Sequence, residues 1–360
     1  MYLGSSSSLT TVNSVFTSNT ADDNHAVIYL DDSSWHASDC NFTKNDASDE
    51  GGVGYITSSE TSFTSCHFES NSGRGAGVFD ALSSTLEFKN CSFQENTATS
   101  TSSSRQGGVL FVDDCTVLIT DSFFLQNAGS GYGGVIGADE SILTVYNSSF
   151  IENTVTTKGV VLYVDDCTVL ITDSIFLRNA GDDDGGVIGA DDSTLTIHNS
   201  SFHENTVSDE GGVLDLDGSS GNMVFTLENC IFTRNRASEG SVLYLDQSGS
   251  TGTIKNCTFD SNSATNYGAI AVLEATATIF FLQNAGSGYG GVIGADESIL
   301  TVYNSSFIEN TVVRSHHIYK LACTLPYHHF NMFFAFPECT WSSVFFSTTS
   351  PAAAIFHFQA

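Results

Sequence analysis

The motif Phe-x-x-Asn occurs twelve times in this 360-residue chain, and no other feature restricts its fold as strongly. The phenylalanines stand at 16, 42, 68, 93, 124, 150, 176, 202, 232, 259, 281 and 307, each with an asparagine three residues later. Six of the eleven spacings are 26 residues, and the others lie between 22 and 31. A repeat of this length is one supersecondary unit stacked on copies of itself, which is a solenoid and not a set of globular domains.

The columns around each phenylalanine give the shape of one turn. Five and seven positions before it the residues are mostly apolar, as in Val117 and Ile119, Leu143 and Val145, and Val169 and Ile171. Alternation of this kind turns one face of a short strand inward. Two positions before it stands Ser or Cys, and three before it usually Asn or Asp. An inward face survives the odd-numbered step from −5 to −2 only if the chain turns a corner there, and Asn and Asp suit a corner. After the asparagine come glycine pairs (51–52, 107–108, 133–134, 185–186, 211–212, 290–291) and then a third apolar strand, such as Val161-Leu162-Tyr163-Val164. The glycines fit where a side chain would crowd the corner. The asparagine itself reads as a left-handed turn residue that also bonds the asparagine one turn away.

The expected fold is therefore all-β: a right-handed parallel β-helix of about twelve coils of about 26 residues, with three strands per coil. Coils stack about 4.8 Å apart, so twelve make a rod of roughly 55 Å. The expected division is a repeat domain over 1–312 and an irregular tail over 313–360, either non-native or a cap. The tail holds all three prolines, five of ten histidines and one acid, Glu338.

Irregular coils mark insertions. The 31-residue spacing holds the polar run Thr97 to Ser104, and the 30-residue spacing holds Gly218-Ser219-Ser220-Gly221. Residues 280–312 repeat 123–155 letter for letter, and the 22-residue spacing before them puts Glu274 and Thr276 in apolar columns, as if the copy were joined out of register.

Charge narrows the partners. The chain has 41 acids and 11 bases, a formal charge of −30, and 40 acids and 9 bases precede residue 313. A rod this negative repels nucleic acid and anionic membrane surfaces. No stretch resembles a membrane-spanning helix. Met1-Tyr2-Leu3-Gly4 lacks the basic start and apolar run of a secretory signal, and Leu9 to Phe16 already reads as mid-repeat; a capped, exported N-terminus is expected upstream.

Phe124 to Asn127 followed by Gly133-Gly134-Val135-Ile136, and Phe176 to Asn179 followed by Gly185-Gly186-Val187-Ile188, carry a family likeness. The pattern resembles the repeat of the chlamydial polymorphic outer-membrane proteins, Phe-x-x-Asn with Gly-Gly-Ala-[Ile/Leu/Val], over about residues 9–312. The resemblance implies a secreted or surface-exposed β-helix that adheres to host cells. Val replaces the usual Ala, and the 48 residues after 312 leave no room for that family's membrane barrel, so autotransport is not implied.

Acid pairs begin eleven residues before the phenylalanine at Asp31-Asp32, Asp113-Asp114, Asp139-Glu140, Asp165-Asp166, Asp191-Asp192 and Asp296-Glu297. Four are in consecutive coils, which predicts a row of carboxylates along one corner. Like charges about 4.8 Å apart repel by roughly 0.9 kcal/mol even at the dielectric of water. Asp113, Asp114, Asp139, Glu140, Asp165, Asp166, Asp191 and Asp192 are thus candidate Ca²⁺ ligands; the competing reading is a solvated acidic edge.

Nine cysteines are present. Cys40, Cys66, Cys91, Cys230 and Cys257 share the inward column with Ser and read as buried thiols, with neighbouring coils within disulfide range. Cys115 and Cys167 lie two coils apart, too far to bridge. In the tail, Cys323, His328, His329 and Cys339 fit no zinc spacing. Glycosylation sequons occur at Asn41, Asn90, Asn147, Asn199, Asn256 and Asn304.

The expected function is a non-catalytic structural or adhesive module, extracellular or on the cell surface, meeting a protein or glycan of a host or neighbouring cell. The alternative is a polysaccharide lyase or glycoside hydrolase of the pectin-lyase-like β-helix type. Such an enzyme gathers unlike residues where the repeat breaks. Here the acids recur regularly, His198 and His203 are isolated, and a polyanionic substrate would meet a negative rod. No catalytic residue or organic cofactor is expected.

Overall fold

The computed structural model describes residues 1–312 except 23–24, 101–105, 183–184, 218–222, 247, 267, 274–275, 281–282, 289–292, 297, 304–305 and 308–310, together with Leu321–Cys323 and Ala354–Phe356. Beyond Ala271 it describes backbone, with the side chains of Ile293, Ser298 and Ile299 only. The sequons at Asn304, the second acid at Glu297 and most of the tail lie outside the described residues.

The chain winds as a parallel β-helix. A typical coil runs Leu110–Asp113, Thr116–Thr120, Phe123–Leu125 and Ala128–Gly129. The first strands of the coils form a 12-stranded sheet, the second strands with Leu321–Cys323 and Ala354–Phe356 a 14-stranded sheet, and the third and fourth together a 22-stranded sheet. The expected three strands per coil are thus four. The extra one is the two-residue piece after the asparagine, such as Thr154–Val155, too short to leave an alternating pattern in the sequence. Thr97–Ala98 is also one of these pieces, paired with Ala128–Gly129, so that insertion begins later than its composition implied.

Phenylalanine stacks on phenylalanine through ten described coils. Phe16 pairs with Phe42, and the register continues unbroken to Phe259, across both long coils. Ring centroids are 4.5–5.1 Å apart and nearly parallel. The flanking apolar columns are buried with them, among them Val117, Ile119, Leu143 and Val145. Each coil adds only nearest-neighbour contacts, so insertions at a corner leave the stack intact.

The 22-residue spacing is resolved differently from the sequence expectation. Phe259 pairs with Asn284, and Asn284 with Phe307. Gly252 pairs with Ala277, and Ile254 with Ile279. The register has slid by three residues, placing Ala277 and Ile279 in the apolar columns instead of Glu274 and Thr276. A carboxylate facing a dry interior costs more than one missing ring. Phe281 lies outside the described residues.

Three corners per coil hold a left-handed residue. One is at Asn13, Asp39, Ser65, Asn90, Asp121, Asn147, Asp173, Asn199, Asn229 and Asn256, the position the sequence marked. A second is the later acid of the described acid pairs, Asp32, Asp114, Glu140, Asp166 and Asp192 (φ 44 to 52°). The third is the residue before the asparagine, such as Gln126, Glu152 or Arg178, and not the asparagine expected there.

The asparagine instead points inward and is fully buried from Asn45 to Asn235. Asn153 Oδ1 accepts from Asn127 N at 2.9 Å and from Asn127 Nδ2 at 3.0 Å. Asn153 Nδ2 in turn donates to Asn179 Oδ1 at 3.0 Å and to Phe124 O at 3.2 Å. A left-handed residue costs roughly 1–2 kcal/mol, and the ladder bonds that the turn permits offset that cost.

The other two corners repeat the device with smaller side chains. Ser122 N donates to Ser148 Oγ at 3.1 Å, and Ser148 Oγ donates to Tyr146 O at 2.9 Å. At the remaining corner Cys115 N donates to Ser141 Oγ at 2.9 Å, and Ser141 N to Cys167 Sγ at 3.3 Å. Cys115 and Cys167, unplaced by sequence, are therefore members of a second Ser/Cys column with Ser33, Ser59, Ser84 and Ser193. Gly134 opens the next coil where a Cβ would lie 2.1 Å from Val160 O, which explains the glycine pair.

Candidate functional site

The acid pairs fall in the expected row. Asp113 pairs in register with Asp139, Asp139 with Asp165, and Asp165 with Asp191. Each first acid ends its strand and each second acid makes the left-handed corner, so the pairs project along one edge. Asp139 is buried, Asp113, Asp165 and Asp191 are half-buried, and Asp114, Glu140 and Asp166 are exposed. Asp191 Oδ2 accepts from Tyr163 Oη at 2.6 Å. The Tyr163 hydroxyl is pushed up by burial first and by this bond second. Among the described residues, no group of three or more His, Cys, Asp or Glu is placed to hold a metal ion.

A second carboxyl grouping was not legible in the sequence. Asp80 follows Tyr55 in an outward column of the first sheet that begins with Tyr2 and Tyr29. The Asp80 carboxyl is 7% exposed. Burial holds it well above the usual carboxylate range, helped by its hydrogen bond with Glu50 and then by the Glu50 charge. A Cβ at Gly75 would lie 2.6 Å from Asp80 Oδ2 and 3.5 Å from Glu50 Oε2, so both carboxyls converge on that glycine. A pair of adjacent carboxyls can be the raw material of acid–base chemistry. Here Asp80 is buried beneath the 49–51 and 74–75 turns, which bond each other through Arg74 N and Gly75 N to Asp49 O, while Glu50 is half-buried. The only sequence signal was an acid interrupting an aromatic column.

The outer surface has one face of different character. In the three consecutive coils of Phe124, Phe150 and Phe176, the outward positions of the second sheet are Thr116, Leu118, Thr120, Ile142, Thr144, Tyr146, Thr168, Leu170 and Thr172. Those of the third sheet are Phe123, Leu125, Ser149, Ile151, Ile175 and Leu177. None of the fifteen is charged, and the only acids at the corners between the two sheets are the exposed Asp121 and Asp173. Ile142 is 52% exposed, Tyr146 46% and Ile175 44%. By contrast, coil 60–69 presents Glu60, His67 and Glu69, and coil 85–94 presents Glu87 and Lys89. An exposed apolar patch on an otherwise acidic rod marks an interaction surface more often than chance. Phe123-x-Leu125 and Ile175-x-Leu177 carry this outward column openly in the sequence.

The remaining sequence candidates are placed as follows. Seven cysteines (40, 66, 91, 115, 167, 230 and 257) are buried free thiols. Burial pushes Cys115 up to about 11 and Cys167 up to about 12. Asn90, Asn147, Asn199 and Asn256 are exposed left-handed corners of alternate coils. His198 is not isolated: it pairs in register with Glu228, its Nδ1 3.8 Å from Glu228 Oε2. Among the described residues no helix is long and apolar enough to cross a membrane.

Comparison with known proteins bears on the fold. The family described as right handed beta helix region matches residues 1–101, 95–224 and 148–286. Among solved structures, PfbA, a surface adhesin of Streptococcus pneumoniae, is 10% identical, with a TM-score of 0.31 over 85% of this chain and 80% of that one. A TibC-catalyzed hyper-glycosylated fragment of TibA is 13% identical, with a TM-score of 0.21 over 86% of this chain and 97% of that one. No curated protein matches the chain.

Proposed function

Because this chain belongs to the right-handed β-helix family, we propose that it is a non-catalytic, surface-exposed module whose outward apolar face over 116–177 adheres to another cell or matrix. The observation that carries this reading is that run of uncharged, half-exposed outward strand positions, interrupted by the corner acids Asp121 and Asp173, on a rod of formal charge −30. Its partner is a neutral protein or glycan surface, since a polyanion meets repulsion on every other side. The likeness of the repeat to the chlamydial polymorphic outer-membrane proteins supports a secreted or surface location. Residues 313–360 add a short antiparallel strand pair, Leu321–Cys323 with Ala354–Phe356, at the end of the second sheet; we assign them no part in adhesion.

The test replaces Phe123→Ser, Leu170→Thr and Ile175→Ser together, each taking a residue that neighbouring coils already use at that position. Binding of the full chain to immobilised cells is expected to fall at least tenfold, with the thermal midpoint nearly unchanged because outward side chains contribute little to the core. Equal binding by the variant would remove the face from consideration. Product release from pectin or other uronates would favour the lyase alternative.

For the acid row we propose loosely held counter-ions rather than coordinated calcium, since the corner acids Asp114, Glu140 and Asp166 stand in solvent, where charges are screened. A specific site filled to a hundred times its dissociation constant would add about 2.7 kcal/mol. Melting in millimolar calcium and in chelator is expected to give the same midpoint; a rise of several degrees in calcium would establish the site.

A further inference from the structure

We infer that the inward thiol column holds two inter-coil disulfide sites: Cys230 with Cys257, and Cys66 with either Cys40 or Cys91. This goes beyond the adhesive reading and is tested without it. The column places these cysteines in directly adjacent coils. Ser92 N donates to Cys66 O at 3.0 Å, His67 N to Cys40 O at 2.9 Å, and Thr258 N to Cys230 O at 2.9 Å. Stacked parallel coils hold such neighbours about 4.8 Å apart, inside the range of about 4.4–6.8 Å that a disulfide needs between Cα atoms. Cys230 N also donates to Cys257 Sγ at 3.4 Å, so the sulfur of one coil already faces the cysteine of the next. The Cys66 thiol hydrogen-bonds that of Cys91, and the Cys257 thiol that of Cys230: that contact first, and burial second, pushes Cys66 and Cys257 up.

The other column cannot do this. Cys115 and Cys167 are separated by the coil of Ser141, about 10 Å by the coil spacing. Three cysteines in successive coils, Cys40, Cys66 and Cys91, share one bond at a time, and the third thiol is placed to exchange with it. Each bond forms when two thiols give two protons and two electrons to a disulfide oxidant such as oxidised glutathione, whose own S–S bond opens to two thiols. An extracellular location supplies such conditions, but the sites follow from the column alone.

The experiment refolds the full chain in a glutathione redox buffer, and separately exposes the native chain to oxidised glutathione. The protein is then denatured, alkylated, digested without reduction and mapped by mass spectrometry. Four of the seven thiols of the described coils should be lost to alkylation, with Cys230 linked to Cys257 and Cys66 to Cys40 or Cys91, while Cys115 and Cys167 stay alkylated. Cys230→Ser should remove one link only. Serine is the native residue of this column at Ser122, Ser148, Ser174 and Ser200, so that variant keeps the corner bond and folds. Seven alkylated thiols in both preparations, or links between any other coils, would overturn the inference.

Discussion

Phe150→Ala is expected to destabilise the rod by about 3–5 kcal/mol, with the damage concentrated in the coils of Phe124, Phe150 and Phe176. Phe150 is fully buried, 4.5 Å from the Phe124 ring and 5.0 Å from the Phe176 ring. Its removal leaves a void between two rings that cannot close up, because their backbones are fixed by parallel hydrogen bonds on either side. Phe150→Leu keeps apolar volume but loses the stacked geometry, and should cost about 1.5 kcal/mol. Phe16→Ala should cost less than Phe150→Ala, since Phe16 has a neighbour on one side and is half-buried. Denaturant titration ranks the three, and hydrogen exchange locates the loss. In a solenoid each coil is coupled only to its neighbours, so exchange should rise first around Val145 and Leu143 and leave the coil of Phe42 protected. Equal costs at Phe16 and Phe150 would mean that the ring column is not a continuous core.

Asn153→Ala should be nearly as damaging although it removes no apolar group. The alanine leaves Asn127 N without its acceptor, takes one acceptor from Asn127 Nδ2, and strips Phe124 O of the bond from Asn153 Nδ2. Asn153 is fully buried, so water does not replace these partners. A buried polar group left unpaired costs about 1–3 kcal/mol, which puts the sum at about 3 kcal/mol or more. Ser148→Ala, which takes one acceptor from Ser122 N, should cost about 1–2 kcal/mol on the same reasoning. Midpoints of urea unfolding for the two variants make the comparison. If Asn153→Ala were no worse than Ser148→Ala, the amide ladder would be ornamental and the turn alone would hold the corner.

The periodicity of Phe and Asn was enough to give the parallel β-helix, the inward apolar columns, the row of acid pairs and the corner three residues before each phenylalanine. These follow from the chain alone because a solenoid repeats one local problem, and each coil solves it with the same residue at the same offset. What failed were the features with no residue signature. The left-handed turn before the asparagine is made by Gln126, Glu152 and Arg178, which favour no such geometry on their own. They adopt it because the inward amide bonds the coils on both sides, and that bond exists only once the coils are stacked. The slide that puts Asn284 opposite Phe259 was likewise decided by competition between columns, since the register brings Ala277 opposite Gly252 and Ile279 opposite Ile254. The meeting of Glu50 with Asp80, thirty residues apart, and the run of uncharged outward strand positions in three consecutive coils belong to the wound rod. Sequence fixes what each coil turns inward, since burial penalises the wrong residue there; what the outside presents is set by which coils lie side by side.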